Sequence, residues 1–586
     1  MKKPDMDAVM PSKVQEVAQV IKKTVRLLLI IAIFCSVASV AYAEDTIQQK
    51  DIKDRIDRFI EENKASLAGL SFSVFTDNDV IYQNHFGFAD ISGNSKVDED
   101  TVMDWGSVSK TLVWVSIMQL KEKGVLDLDA DIDEYLPDGL IKRKYGDPVT
   151  IKNLMNHDAG FEEYLIDLMA TNEDEIISLE EYLKRGQPEQ IYRPGEVCAY
   201  SNYSSAIAAY IVERASGQPF YEYVRENIFD PLNMNDTSIK SDMSDNASVK
   251  ERRKKLKSYT TDGKEKSVSL LYINPYPIGM CVSTIDDMRK FAQSLLCSDT
   301  PLFEKEETCC ELFENTSVFG GSSIGRNSHG LWRITYCDGN VYGHGGNTLF
   351  CSSYLLVDPE RKSGVVIQTN QRSETLFNTG IAQIVFGEAE WNNGYDGLAL
   401  SARTVFRGPL RIYKLLNLSE INSSDKQELA YRNSINGTDK LSMSYGDHLV
   451  VGIKEIIADF AVIALYAAAV VISVIRLIKE IINKIKFGNS KSDCVSLLSG
   501  ALVIIPFALL LSVGIRLTSY ASLATEALAA AALIIFVSLL VTLVLLFRQL
   551  TAVFKNKKSG DLLNTMLLLV TVINTVYWQW CCFITF

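Results

Sequence analysis

The chain is poor in histidine and lacks any regular pairing of cysteine. Five histidines (85, 157, 329, 344 and 448) are scattered over 586 residues, and none of the eleven cysteines falls in a paired C-x-x-C spacing. Neither a metal site nor a cofactor is therefore expected. Seven cysteines lie between residues 44 and 455, an odd number. That permits a disulfide such as Cys297 with Cys309 or Cys310 without demanding one, and free buried thiols are the default for most. Positive charge is in deficit as well. A formal charge of −13 argues against nucleic acid as a partner. Long apolar runs are scarce over residues 44–455 and crowd into the last quarter of the chain.

Residues 1–26 are polar, with Lys22, Lys23 and Arg26 beside an apolar run over 27–40 and then Ala41-Tyr42-Ala43. This pattern predicts a signal peptide or N-terminal anchor over residues 1–43. Near the other end, residues 460–475, 494–515, 527–547 and 562–586 carry no charge. Each approaches or meets the ~20 residues a membrane-spanning helix needs, so four transmembrane helices are expected over 456–586. Nine basic residues fall in the loops 476–493 and 548–561, and only Arg516 in 516–526. The positive-inside rule then places those two loops in the cytoplasm and residues 44–455 outside. The expected location is a cell membrane, multi-pass, with the lipid bilayer as one partner and room for a membrane-protein partner on the helices. Residues 393–455 turn polar without a clear period and read as an extracytoplasmic spacer or a small accessory region.

Between these ends, residues 70–75 and 80–86 read as two strands of a hairpin. Residues 151–235 look mainly helical, and 265–370 return to shorter strands and helices. The alternation predicts an α+β sheet domain interrupted by a helical one.

The chain is organised around Trp105-Gly106-Ser107-Val108-Ser109-Lys110 and the apolar run behind it, with Val113, Ile117 and Leu120 at helical spacing and Gly124 as a stop. A helix starting near Ser107 puts Lys110 one turn on, on the same face. A desolvated lysine there can serve as base for a serine hydroxyl, and the helix start offers N–H groups to an oxyanion. S-x-x-K alone is weak, since Ser423…Lys426 also satisfies it. Two further stretches supply partners. Tyr200-Ser201-Asn202 precedes an apolar helix; a phenol beside a lysine ammonium can have its pKa depressed, and the amide of Asn202 can orient Lys110 and substrate. Tyr342-Gly343-His344-Gly345-Gly346-Asn347 precedes an apolar strand, and its glycines let backbone approach a ligand, with the Asn347 N–H a second oxyanion donor beside that of Ser107.

Ser-Val-Ser-Lys, Tyr-Ser-Asn and His-Gly-Gly, in that order, resemble the three motifs of the serine β-lactamase and penicillin-binding-protein superfamily, in its class C-related branch of D-aminopeptidases and esterases. The resemblance extends over roughly residues 65–370, through Ile151–His157, Pro194-Gly-Glu and Ser283–Asp287. It implies a β-lactamase/transpeptidase-like fold over 44–392: an antiparallel sheet flanked by helices, plus a helical subdomain. It also implies Ser107 as nucleophile, Lys110 as its base partner, Tyr200 as general acid/base, and Asn202, His344, Gly345, Gly346 and Asn347 as substrate or oxyanion contacts. The implied activity is that of an extracytoplasmic serine hydrolase, acting on a small peptide, amide or ester. A β-lactamase proper, or a β-lactam or peptidoglycan sensor without turnover, is the alternative. Many class C enzymes have lysine where His344 stands, and neutral histidine favours peptidase or esterase chemistry over β-lactam hydrolysis. His157-Asp158-Ala159-Gly160 also lacks the Thr-Ser pair often found there.

Overall fold

The computed structural model describes residues 50–163, 167–262, 265, 272–296, 299–391, 394–403, 415, 418–425, 429–435, 437–487, 494–519, 525–556, 559–578 and 580. The signal or anchor expected over 1–43 lies outside them, as do Cys297 of the suggested disulfide and Lys426 of the second S-x-x-K. The described residues up to Lys64 belong to one unit and form a helix over 50–63. The remainder belongs to a second.

The second unit is built on a nine-stranded antiparallel sheet. Its strands are β1 (Gly69–Thr76), β2 (Val80–Asp90), β3 (Ser95–Lys96), β4 (Ser317–Val318), β5 (Gly325–Ser328), β6 (Leu331–Arg333), β7 (Tyr342–Asn347), β8 (Ser352–Asp358) and β9 (Ser363–Thr369). They lie in the order β3-β2-β1-β9-β8-β7-β6-β5-β4. The hairpin expected at 70–86 is β1 and β2, and β1 closes on β9 with Leu70 opposite Thr369 and Thr76 opposite Ser363. The chain thus leaves the sheet after β3 and returns some 220 residues later, having built the helical region between.

Helix α1 (Lys110–Glu122) is the centre of that region. Every residue from Lys110 to Leu120 is buried, so the helix is enclosed all round by core instead of presenting one apolar face. Gly124 follows it at φ +71°, accepting the left-handed stop expected of it. Helix α2 (Asn202–Ser216) packs on α1 and starts at Ser201, whose hydroxyl accepts from the Ser204 N–H at 3.1 Å. Helix α3 (Ile285–Ser294), capped by Thr284, and helix α4 (Leu376–Phe386) pack on the sheet. Antiparallel sheet, flanking helices and helical region are the expected β-lactamase/transpeptidase-like architecture.

Two expectations change. The polar stretch 393–455 holds a second sheet of five antiparallel strands: β10 (Gly397–Ser401), β11 (Leu418–Ile421), β12 (Tyr431–Ile435), β13 (Thr438–Met443) and β14 (Gly446–Val450), in the order β11-β10-β14-β13-β12. It has its own small core of Ala399, Ile421, Ala430, Leu441 and Met443. It is also bonded to the large domain: the Asp447 N–H donates to Cys198 O at 2.7 Å, and Asp447 Oδ2 accepts from the Cys198 N–H at 3.1 Å.

The second change concerns the apolar helices α5 (Ile453–Phe487), α6 (Cys494–Ser519), α7 (Thr525–Asn556) and α8 (Ser559–Tyr577). Among the described residues three, not four, are long and apolar enough to cross a membrane, over Ile453–Asn483, Val495–Val513 and Ala530–Thr551. The apolar part of α8 is only Leu562–Tyr577, and it buries Asn564, Thr571, Asn574 and Thr575 inside the bundle. Arg476 on α5 donates to Asn564 at 2.7 Å, and the Tyr577 hydroxyl to Asp459 at 2.7 Å.

Candidate active site

The start of α1 is clamped from three sides. The Trp105 N–H donates to Cys281 O at 2.8 Å, its indole N–H to Ser283 Oγ at 2.7 Å, and Trp105 O accepts from Ser353 Oγ at 2.6 Å. A 3₁₀ turn over Gly106–Ser109 then leads into the helix, with Gly106 at φ +52°. This turn puts Ser107 at the surface of the site and Lys110 beneath it.

Lys110 Nζ donates to Ser107 Oγ at 3.0 Å and to Ile278 O at 2.9 Å, and the side chain is fully buried. Burial, the largest influence, lowers its pKa to about 7; the Arg403 cation pushes the same way, while the Glu163 carboxylate opposes it. A substantial fraction of the amine is therefore neutral near pH 7 and able to take the serine proton.

Tyr200 stands beside this pair, its ring centroid 5.2 Å from Lys110 Nζ. The expected depression of its phenol is reversed: burial pushes its pKa well up, and the hydrogen bond with Ser107 and the nearby Arg403 only partly offset that. The phenol keeps its proton at neutral pH, which fits it to donate to a leaving group. The ring is stacked on His157 at 4.5 Å, and His157 in turn on Trp332 at 5.4 Å. The Ser201 N–H donates to His157 Nδ1 at 3.1 Å, which places the imidazole proton on Nε2, and burial holds that ring neutral. In the segment lacking Thr-Ser, Asp158 Oδ1 instead accepts from Asn153 at 2.9 Å and Asp158 O from the Gly195 N–H at 2.8 Å. Gly160 is required there, because a Cβ would lie 2.0 Å from Tyr192 O.

The Asn202 backbone N–H and amide Nδ2 both donate to the carboxylate of Glu163, each at 2.5 Å, so Glu163 orients this residue. Glu163 is buried and also faces Arg403, whose Nη2 lies 3.5 Å from Oε1; the Glu163 N–H donates to Arg403 O at 2.9 Å. The Arg403 guanidinium carbon sits 4.7 Å from the Tyr200 ring centroid. Neither residue was visible as a site residue in the sequence. Glu163 is marked by no motif, and Arg403 follows β10 in the polar stretch 393–455.

Strand β7 closes the site. Gly346 lies so near the turn that a Cβ would stand 1.9 Å from Trp105 O, and a Cβ on Gly106 would stand 2.7 Å from Asn347 N. The Thr348 N–H is spent on Cys351 O at 2.9 Å. By antiparallel alternation, the Asn347 N–H then points away from β8, toward the turn that carries Ser107. The Ser107 and Asn347 backbone nitrogens thus both lie where the turn and the strand meet. His344 is buried, and its Nδ1–H donates to Gly345 O at 2.6 Å. Burial first, then Lys110, lowers its pKa to about 3, so it is a neutral ring and no cation. Gly345 and Gly346 present backbone alone, and the Asn347 side chain is exposed.

The geometry joins Ser107, Lys110, Tyr200, His344, Gly346 and Asn347 around one point, with Asn202 held at the rim by Glu163. The family model described as Beta-lactamase matches residues 56–386. A penicillin-binding protein of Bacillus subtilis (strain 168) is 28% identical over 168 residues, covering 28% of this chain and 36% of the relative. The protein Flp of Staphylococcus aureus (strain N315) is 23% identical over 339 residues, covering 55% of this chain and 64% of the relative. This chain thus spans between about a third and two thirds of those relatives. Among solved structures, the D-amino acid amidase from Ochrobactrum anthropi SV3 is similar at 22% identity and TM-score 0.48, covering 57% of this chain and 96% of that one. The octameric penicillin-binding protein homologue from Pyrococcus abyssi is similar at 19% and 0.46, covering 68% and 99%.

Proposed function

Since this chain belongs to the β-lactamase family, we propose that it is a serine hydrolase that works through an acyl-enzyme on Ser107, acts on small peptides, amides or esters, and is tethered to a membrane by its apolar helices. The observation that carries this reading is the 3.0 Å contact between the fully buried Lys110 amine and Ser107 Oγ. Ser107 Oγ attacks the substrate carbonyl and passes its proton to Lys110 Nζ. The carbonyl oxygen takes up charge beside the Ser107 and Asn347 N–H groups. The bond to the leaving group then breaks as Tyr200 delivers a proton to the departing nitrogen or oxygen and recovers one from Lys110. Water repeats the attack on the ester, and Ser107 is released with its proton.

The neutral, buried His344 supports peptide or ester substrates over β-lactams, because the strand motif offers no fixed cation to a β-lactam carboxylate. The basic loops 476–493 and 548–561 support an extracytoplasmic site. Activity of the purified chain against D-aminoacyl amides, short esters and a chromogenic β-lactam tests the reading. Turnover of the first two with little of the third is expected. Stable acylation by the β-lactam with no turnover of any would instead mark a sensor.

A further inference from the structure

We propose that Arg403, supplied by the five-stranded sheet and lying beyond the matched residues 56–386, is a positioning residue of this site, held by Glu163 across Tyr200 and acting on the reaction through Tyr200 and Lys110. The inference rests on the acyl-enzyme reading and adds a part of the molecule to it.

Four observations carry it. First, the sheet is fastened to the Tyr200 loop. Asp447 exchanges two hydrogen bonds with Cys198, two residues before Tyr200, and is buried with Arg326 Nη1 at 2.6 Å and Lys440 Nζ at 2.5 Å. Removing either cation would strand a buried charge, so this joint is expected to be stiff. Second, β10 is tied in by the same strand: the Ala402 N–H donates to Asp447 O at 2.9 Å, and Ala402 O accepts from the Tyr192 hydroxyl at 3.2 Å. Arg403 is therefore placed by backbone on both sides, through Ala402 and through the Glu163 N–H. Third, its guanidinium packs 4.7 Å from the Tyr200 centroid, within cation–π range. Fourth, Glu163 divides its carboxylate between Arg403 and both nitrogens of Asn202. A single carboxylate thus connects the accessory sheet to Tyr-Ser-Asn.

The electrostatics agree with this placement. The groups facing Lys110 are Ser107 and Ile278 O from hydrogen bonds, the protonated phenol of Tyr200, the neutral rings of His157 and His344, the Glu163 carboxylate and the Arg403 guanidinium. Among the described residues these last two are the charges that act on the amine, and they do so with opposite sign.

The test is the pH profile of kcat/KM for the full chain in detergent micelles, with wild type, Arg403→Gln, Arg403→Lys and Glu163→Gln. Arg403→Gln removes a cation that disfavours protonation of Lys110, so the acidic limb moves to higher pH. The plateau falls roughly three- to thirty-fold, the scale of a lost cation–π contact. Glu163→Gln moves the limb to lower pH, and Arg403→Lys, keeping the charge, leaves it near wild type. Limbs that stay in place in both neutral variants overturn the inference, because a merely structural role lowers activity at every pH alike. A Ser107→Ala chain that retains activity would instead overturn the acyl-enzyme reading itself.

Discussion

A Cβ on Gly346 would lie 1.9 Å from Trp105 O and 3.1 Å from Ser107 N, so strand β7 and the turn that carries Ser107 meet as bare backbone. That approach is what brings the Asn347 N–H beside the Ser107 N–H. Gly346→Ala must push the two apart. Loss of one oxyanion donor costs about 10²–10³ in kcat, and this variant is expected to lose at least that much while its thermal melt shows a folded chain. Near-wild-type kcat in Gly346→Ala would mean the donors are elsewhere.

Tyr200→Phe keeps the ring that packs on His157 and Arg403 and removes only the hydroxyl. Turnover is expected to fall by roughly 10²–10⁴, the range for a lost general acid/base. Covalent labelling of Ser107 by an activated ester, whose leaving group departs without a proton, should persist, because Lys110 still takes the serine proton. Rapid-quench kinetics separate the two steps, and loss of labelling equal to loss of turnover would make Tyr200 the base.

The buried amine also leaves a mark on stability. Desolvation holds Lys110 at about 7 in the folded chain, against 10.5 for an ordinary lysine. Between those values the unfolded chain binds a proton that the folded chain does not, so this group's contribution to stability grows as pH rises from about 7 toward 10.5 and is flat below 7. Lys110→Met abolishes that dependence. The Tm of wild type minus that of Lys110→Met should rise from pH 7 to 10. A difference that is level or falls over that window contradicts a depressed Lys110.

His344→Lys adds a cation to the strand motif. Substrates bearing a carboxylate should gain in kcat/KM relative to neutral esters, and the acidic limb should move to lower pH because a second cation disfavours protonating Lys110. An unchanged substrate ratio would show that position 344 does not face the substrate.

The sequence made the local parts of this site legible and the distant ones opaque. Trp105–Lys110 and Tyr342–Asn347 are continuous stretches whose serine, lysine and glycines announce their chemistry. The direction of the Tyr200 pKa depends on burial, which no local pattern encodes. Glu163 and Arg403 meet only in the fold, 240 positions apart. A signal for the second sheet was present: Asn436-Gly437 is a hairpin dipeptide, and it sits between β12 and β13. The flanking strands are short and polar, so their periodicity was too weak to read. The fourth apolar segment carries no charge over 562–586, but its described helix is apolar only over Leu562–Tyr577 and buries asparagine and threonine side chains among α5–α7, a packing that absence of charge does not reveal.

The most direct test of the acyl-enzyme is peptide mass spectrometry on the full chain after reaction with a slowly released acyl ester. The account predicts one adduct, on the peptide that contains Ser107, and none in Ser107→Ala. An adduct that survives Ser107→Ala, or one carried by Ser423, whose exposed hydroxyl bonds to Asp396 at 2.9 Å, would contradict it.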